Sequence, residues 1–276
     1  MQQKKHYFII VNYNGGNNII ECIDSIMRNK NVVVNIIIVD NASRDNSLEL
    51  CKSRYPNLTY IYNTHNIGFA AGANVGAKFA LERNPATVTF CNPDTILDKA
   101  CIKTLTDTIQ NGTADIISPI IYKYKSSSIW FDGGKISFYT GRATHKKQST
   151  DYISGCIMTV SPDVFKKIGL FDEQFFLYYE DADFSLRAHK ASFKLAIIST
   201  AHAWHKELSE TENSQKTYFL VLSGLLFFNK HSHGLAKVWF NLRFTLRKFK
   251  NNNDFKKNKP LADQVHKAYM NYEKRK

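Results

Sequence analysis

Residues 35–43 read NIIIVDNAS: an uninterrupted apolar run, Ile36 to Val39, closed by Asp40 and a polar turn. A short run of β-branched residues stopped by turn chemistry predicts a strand buried on both faces. Two more strands of this kind flank it. Upstream, residues 7–16 read YFIIVNYNGG, and downstream, residues 87–94 read TVTFCNPD. Between them, Ile19, Ile20, Ile23, Ile26 and Met27 recur at helical spacing. A second helix is predicted over 48–55, a third strand over 58–62 and a small-residue helix over 70–83. This alternation predicts an α/β fold with a mainly parallel, doubly wound sheet. In such sheets ligands bind beyond the strand C-termini. Asn12-Tyr13, Asp40-Asn41 and Asn92-Pro93-Asp94 are therefore expected to converge on one rim.

The second half is more mixed. Strands are predicted over 116–121, 129–131, 153–160 and 195–199, with a turn at Asp132-Gly133-Gly134. A helix over 162–168 starts with Pro162 behind Ser161 as N-cap. Another helix is predicted over 181–190, followed by a polar loop over 202–210. Helices follow residue 213, with a break at Asn251-Asn252-Asn253, Pro260 and a last short helix.

The chain has 276 residues, 43% hydrophobic and 22% charged, which excludes a disordered or low-complexity class. The formal charge of +13 is unevenly spread. Of the 37 basic and 24 acidic residues, 14 and 3 lie in 214–276, leaving 23 and 21 for the rest. A nearly neutral body over 1–213 and a basic, aromatic-rich helical tail over 214–276 follow as the expected organisation. The pI therefore does not indicate a nucleic-acid-binding protein. Cys22, Cys51, Cys91, Cys101 and Cys156 are odd in number and lack CxxC spacing, which fits reduced thiols in a cytoplasmic setting. The first apolar run is too short for a signal peptide, and no stretch has the length of a spanning helix.

Four clusters carry chemistry. Asp40, with Asn41, Ser43, Asp45 and Ser47, can accept hydrogen bonds from a nucleotide or simply build a turn and cap the next helix. Asp94 in Asn92-Pro93-Asp94 suits a hard divalent cation, or equally a turn. Residues 171–187 read FDEQFFLYYEDADFSLR, five acids among aromatics. Aromatic walls raise a carboxylate toward the range of a working base. Asp183 and Arg187 have the i,i+4 spacing of a structural ion pair. His202 and His205 follow a strand and can be ligands, bases or satisfied loop residues.

Taken in order, these clusters resemble glycosyltransferase family 2 with its GT-A fold. The matching pieces are VNYNGG, IIIVDNASRDNS, NTHNIGFAAGANVGAKFA, FCNPDTIL, the stretch from Tyr152 through Arg187, and the late His205. The likeness covers about residues 7–209 and is nearest to rhamnosyltransferase-like enzymes. It implies that Asn12, Tyr13, Asp40, Asn66, Gly68 and Asn92 serve the nucleotide, with Asn74 shaping the helix behind. It implies Asp94 and His205 as metal contacts and Asp181 as the base that deprotonates the acceptor hydroxyl. Gly155, Cys156, Glu180 and Trp130 fall on the sugar and acceptor side. The implied cofactor is a divalent metal, Mg2+ or Mn2+. The implied function is inverting, non-processive transfer of a sugar, rhamnose first, to a saccharide or lipid-linked acceptor of a bacterial surface polysaccharide. A UDP-hexose or UDP-N-acetylhexosamine transferase is the alternative, as is an inactive nucleotide-sugar-binding protein. Two departures stand out. Asn92 replaces the first acid of the family's D-x-D, and no Q-x-x-R-W follows Asp181, as processive synthases have.

Gly133-Gly134, Gly141-Arg142 and His145 are expected to form a loop, either closing over the donor or merely connecting. The apolar segment 218–228, followed by Trp239, Phe240, Phe244 and Phe249 among basic residues, can lie on an anionic membrane surface or pack against the body. The first reading gives a peripheral protein on the cytoplasmic face of the inner membrane. Nucleic acid is not an expected partner, and the oligomeric state is not legible.

Overall fold

The computed structural model describes residues 5–206, 214–257, 259 and 261–275. Its first half alternates: β1 (His6–Asn12), α1 (Asn18–Met27), β2 (Val34–Asp40), α2 (Ser47–Arg54), β3 (Thr59–Tyr62), α3 (Phe69–Leu81) and β4 (Thr87–Cys91). The chain continues through β5 (Thr95–Leu97), α4 (Cys101–Gln110), β6 (Ile116–Lys123), β7 (Ile129–Phe131), β8 (Gly134–Ser137), β9 (Arg142–His145) and β10 (Ile157–Val160). Then come α5 (Pro162–Ile168), α6 (Glu180–Lys190), β11 (Leu195–His205), α7 (Ser214–His231), α8 (Gly234–Lys256) and α9 (Ala262–Lys274).

The main sheet runs β3-β2-β1-β4-β10-β6-β11-β5, with β7 beside β6. β3, β2, β1 and β4 are mutually parallel, as are β6 and β11. β10 enters antiparallel between β4 and β6. Both faces are covered, as a parallel sheet requires. Phe8 and Ile10 of β1 point into one apolar layer, and Tyr7, Ile9 and Val11 into the other. α3 lies so close to the second face that a Cβ at Gly76 would stand 2.5 Å from Ile9 Cγ2.

Several local expectations change. The turn at Asp132-Gly133 is present, and the loop expected after it becomes the β8–β9 hairpin, starting at Gly134. It is clamped from α8: Trp239 Nε1 donates to Tyr139 O at 2.8 Å and Arg243 to Thr140 O at 2.8 Å. That clamp argues against a free lid. The strand over 153–160 begins only at Ile157. The polar loop from 202 is instead strand as far as His205, because a register shift between Ile198 and His202 lets β11 continue along β6. Residues 207–210 of that loop lie outside the described residues. α8 runs through Asn251-Asn252-Asn253 without a break, since Asn251 is buried on the same face as Phe240 and Phe244. The apolar segment 218–228 is core: Leu222, Leu225, Leu226, Phe227 and Phe228 join the layer that holds Phe8 and Ile10. Among the described residues, no helix is long and apolar enough to cross a membrane.

Candidate active site

Strand pairing assembles the site. β5 starts one residue after Asp94, and β11 ends at His205. Their antiparallel register sets Thr95 opposite His205. His205 Nε2 consequently lies 3.2 Å from Asp94 Oδ2. On the neighbouring strands, Ile157 of β10 pairs with Cys91 of β4, and Asn92 N donates to Cys156 O at 2.9 Å. This brings Gly155 and Cys156 beside the Asn92-Pro93-Asp94 turn. α6 then delivers its first turn to the same place: Gly155 N donates to Asp181 Oδ2 at 2.9 Å. Asn92, Asp94, Trp130, Cys156, Asp181 and His205 all line one cavity of about 730 Å³.

The turn before α6 is unusual. Tyr178 and Tyr179 both have left-handed backbone, with φ of 69° and 68°. Such conformations in non-glycine residues cost about 1–2 kcal/mol each and persist where surrounding structure enforces them. α7 does so here. Ser223 Oγ donates to Leu177 O at 2.8 Å, and the Tyr179 ring packs on Phe227 with centroids 5.3 Å apart. A Cβ at Gly224 would stand 3.3 Å from the Tyr179 ring.

The acids on this turn differ sharply. Burial pushes Glu180 well above the usual carboxylate range, and the Asp181 charge beside it adds to the shift. Burial also raises Asp181, opposed by backbone hydrogen bonds from Gly155 and Ala182 and by His145. Each Asp181 oxygen accepts one backbone N–H, at 2.9 and 2.7 Å. A carboxylate oxygen has two acceptor sites, so capacity for a further proton donor remains. Asp183 points away, to Arg187 Nε at 2.7 Å, Lys230 Nζ at 2.6 Å and His231 Nε2 at 2.7 Å. It is the structural ion pair that the spacing predicts, enlarged by a lysine and a histidine from α7.

Asp94 Oδ1, His205 Nδ1 and Glu180 Oε2 are buried and have no hydrogen-bond partner among the described residues. A carboxylate and an imidazole are ordinary ligands of a divalent cation. Among the described residues no group of three or more His, Cys, Asp or Glu could hold a metal. The fit is thus for a cation held by two side chains, with its other positions open to ligand or water. Trp130 packs on His205, with ring centroids 4.4 Å apart, and on His145 at 4.7 Å. It braces the imidazole as well as walling the cavity.

The other predicted residues form a separate group. Asn12 is fully buried and Asp40 nearly so. Asn12 Nδ2 donates to Asp40 Oδ1 at 2.8 Å, and Ser43 Oγ donates to the same oxygen at 2.7 Å. Ser43 N donates to Asp40 Oδ2 at 3.0 Å. Neither Asn12 nor Asp40 lines the cavity that holds Asp94 and Asp181. They organise the rim as the turn reading describes. Asn66 Oδ1 accepts from Gly68 N at 2.9 Å, and Gly68 has φ of +87°. A side chain there would strike the Phe176 carbonyl. Asn74 is a staple: it holds both N and O of Phe171, at 3.0 and 2.9 Å. Tyr13 is exposed and meets Asn66 at a second cavity of about 640 Å³. Its far wall is one face of α9: Gln264, Lys267, Asn271 and Lys274. The spacing of those four is helical and polar, but nothing in the sequence says which surface they face.

Comparisons with known proteins assign the chain's family and fold. Residues 7–169 match the family model described as "Glycosyl transferase family 2". The "Low-salt glycan biosynthesis hexosyltransferase Agl10" of Haloferax volcanii is 27% identical over 225 residues, covering 78% of this chain and 71% of that protein. The "dTDP-rhamnosyl transferase RfbF" of Shigella flexneri is 26% identical, covering 70% of this chain and 66% of its own. Among solved structures, the mannosyltransferase PcManGT from Pyrobaculum calidifontis, in complex with GDP-Man and Mn2+, superposes with a TM-score of 0.61. It is 11% identical and covers 99% of this chain and 86% of its own, a likeness of fold.

Proposed function

The chain belongs to glycosyl transferase family 2 and is a glycosyltransferase; on that premise we propose that it moves one sugar per event, with inversion, from a nucleoside-diphosphate donor to an acceptor hydroxyl. The observation that carries this reading is one cavity lined by the Asp94–His205 pair and by Asp181. The acceptor hydroxyl enters on the side of Trp130 and Glu180, and Asp181 takes its proton. The acceptor oxygen forms a bond to the anomeric carbon as the bond to the diphosphate breaks, and the nucleoside diphosphate departs. Asp181 is aimed by Gly155 and Ala182, and its raised pKa makes it a stronger base than an exposed aspartate. Asp94 and His205 would hold a divalent cation, Mn2+ or Mg2+, which when bound would neutralise charge on the leaving diphosphate. Gly155 and Cys156 leave room for the sugar.

The nucleoside end of the donor goes to the second cavity, where Tyr13 and Asn66 face α9. Asp40 and Asn12 hold the rim that shapes it, Gly68 makes the turn beside Asn66, and Asn92 meets the nucleotide from the wall of the first cavity. dTDP-rhamnose is the proposed donor, supported by the rhamnosyl-transferring relative. A UDP-hexose is the second reading, its hexose supported by the relative named a hexosyltransferase. The acceptor is a saccharide or lipid-linked saccharide of a surface polysaccharide. One sugar per event is supported by the missing Q-x-x-R-W motif.

A thermal-shift panel of dTDP, UDP and their sugars, with and without Mn2+, tests the proposal. A ligand bound only by the folded chain raises Tm by mass action. The dTDP compounds should raise Tm, and more so with Mn2+. A chain that no nucleoside diphosphate stabilises in either condition would contradict the reading. Stabilisation without any donor turnover would turn it into a binding protein.

A further inference from the structure

α8 is amphipathic in an inverted sense. Its inner face, Phe240, Phe244 and Asn251, is buried. Its outer face is also apolar: Leu235, Val238, Leu242, Leu246 and Phe249 are 89%, 66%, 50%, 60% and 70% exposed. At about 100° per residue these five fall within one stripe opposite the buried face, about 21 Å long. A monomer rarely leaves such a ridge bare. The Tyr139 and Trp239 rings, stacked at 5.4 Å, extend its edge. Exposed Lys250, Lys256 and Lys257 lie on the same helix or directly after it.

We propose that this ridge is a docking surface for an anionic lipid bilayer, with the apolar side chains entering the interface and the lysines meeting headgroups. Charge decides between this occupant and a second copy of the chain. The exposed charges at the end of the stripe are Lys250, Lys256 and Lys257, while the acid among them, Asp254, is paired with Lys259 at 2.6 Å. Joining two such ridges would bring like charges together, whereas an anionic leaflet neutralises them. The surface differs from the one that sequence alone points to. Residues 218–228 are core, and Phe240 and Phe244 face inward, so the membrane face reduces to the outer stripe of α8. It lies outside the cleft, and its occupancy does not depend on the donor.

The test is flotation of the full chain with vesicles of phosphatidylcholine alone and of phosphatidylcholine mixed with phosphatidylglycerol, at low and high salt. Binding is expected on the mixed vesicles and weakened by salt. The double variant Leu242→Gln/Leu246→Gln should bind at least about tenfold more weakly, because two exposed leucines lose their burial. Its melting temperature and its transfer to a soluble acceptor should be unchanged. Absence of binding to anionic vesicles, or equal binding of the double variant, would overturn the proposal. So would a wild-type dimer in sedimentation velocity that the double variant dissolves, which would assign the ridge to a second copy.

Discussion

Asp181 and Asp183 stand two residues apart at the start of α6, and the chain surrounds them in opposite ways. Asp183 is fully buried, yet Arg187, Lys230 and His231 outweigh the effect of burial and hold its carboxyl at about 2. Among the described residues Asp181 has only backbone donors in hydrogen-bond contact, and burial raises it. One acid is locked into the ionised form by side chains of α6 and α7. The other is left with room for a proton at an open cavity wall. Charge count along the sequence does not separate them. What separates them is which face of α6 meets α7: a carboxylate used to join two elements is saturated with side-chain donors, and one available to a substrate is not.

Breaking the two acids in turn should give different losses. The largest effect expected is on turnover. Asp181→Asn should lower kcat by about 10²–10⁴, the usual contribution of a general base, with a urea midpoint no lower than that of the wild type. Glu180→Gln, which imitates the protonated form that burial favours, should change kcat by less than about tenfold. If the two variants lost activity in reverse order, the base would be Glu180. The next effect is on stability. Asp183→Ala leaves Arg187, Lys230 and His231 without their shared anion and should destabilise the fold by about 3 kcal/mol, read by urea denaturation. An Asp183→Ala variant as stable as Asp181→Asn would erase the distinction.

The smallest effect is in pH, and its sign differs between the two acids. Asp183 has a folded pKa of about 2 against a reference of 3.8. Its stabilisation is present above the reference value and is lost as pH falls toward the folded one, an amount of about 2 kcal/mol. Glu180 and Asp181 are raised, so they remove stability as pH rises from the ordinary carboxylate range through their own values. Activity follows ionisation of Asp181 and should fall on acidification before Asp183 is protonated. A window of mild acid in which the chain is folded but inactive is expected, seen by circular dichroism beside donor turnover. Coincident loss of fold and activity would contradict it.

Much of the first half is legible because β1, β2 and β4 are apolar on both faces and end in turn chemistry. α4 is not predicted, although Ile102, Leu105 and Ile109 carry helical spacing, because its threonines dilute the pattern. β5, β8 and β9 are too short to stand out, and the hairpin depends on α8 for its hold. The identity of Asp94, Asp181 and His205 as polar punctuation is readable from sequence. Their meeting is not, since it rests on β5 pairing antiparallel with β11 and on Gly155 reaching α6. Composition shows that the segment 218–228 is apolar but not what covers it. The structure places it in the core, where α7 braces the Tyr178-Tyr179 turn. The outer stripe of α8 has visible periodicity, but so has its inner stripe, and only packing tells them apart.

The central claim is that metal-assisted donor binding and proton removal are divided between Asp94 and Asp181 across one cavity. Calorimetric titration of dTDP into the wild type, Asp94→Ala and Asp181→Asn, each with and without Mn2+, tests this directly. The Mn2+-dependent part of the affinity should vanish in Asp94→Ala and persist in Asp181→Asn. Retention of the full Mn2+ effect in Asp94→Ala would contradict the claim.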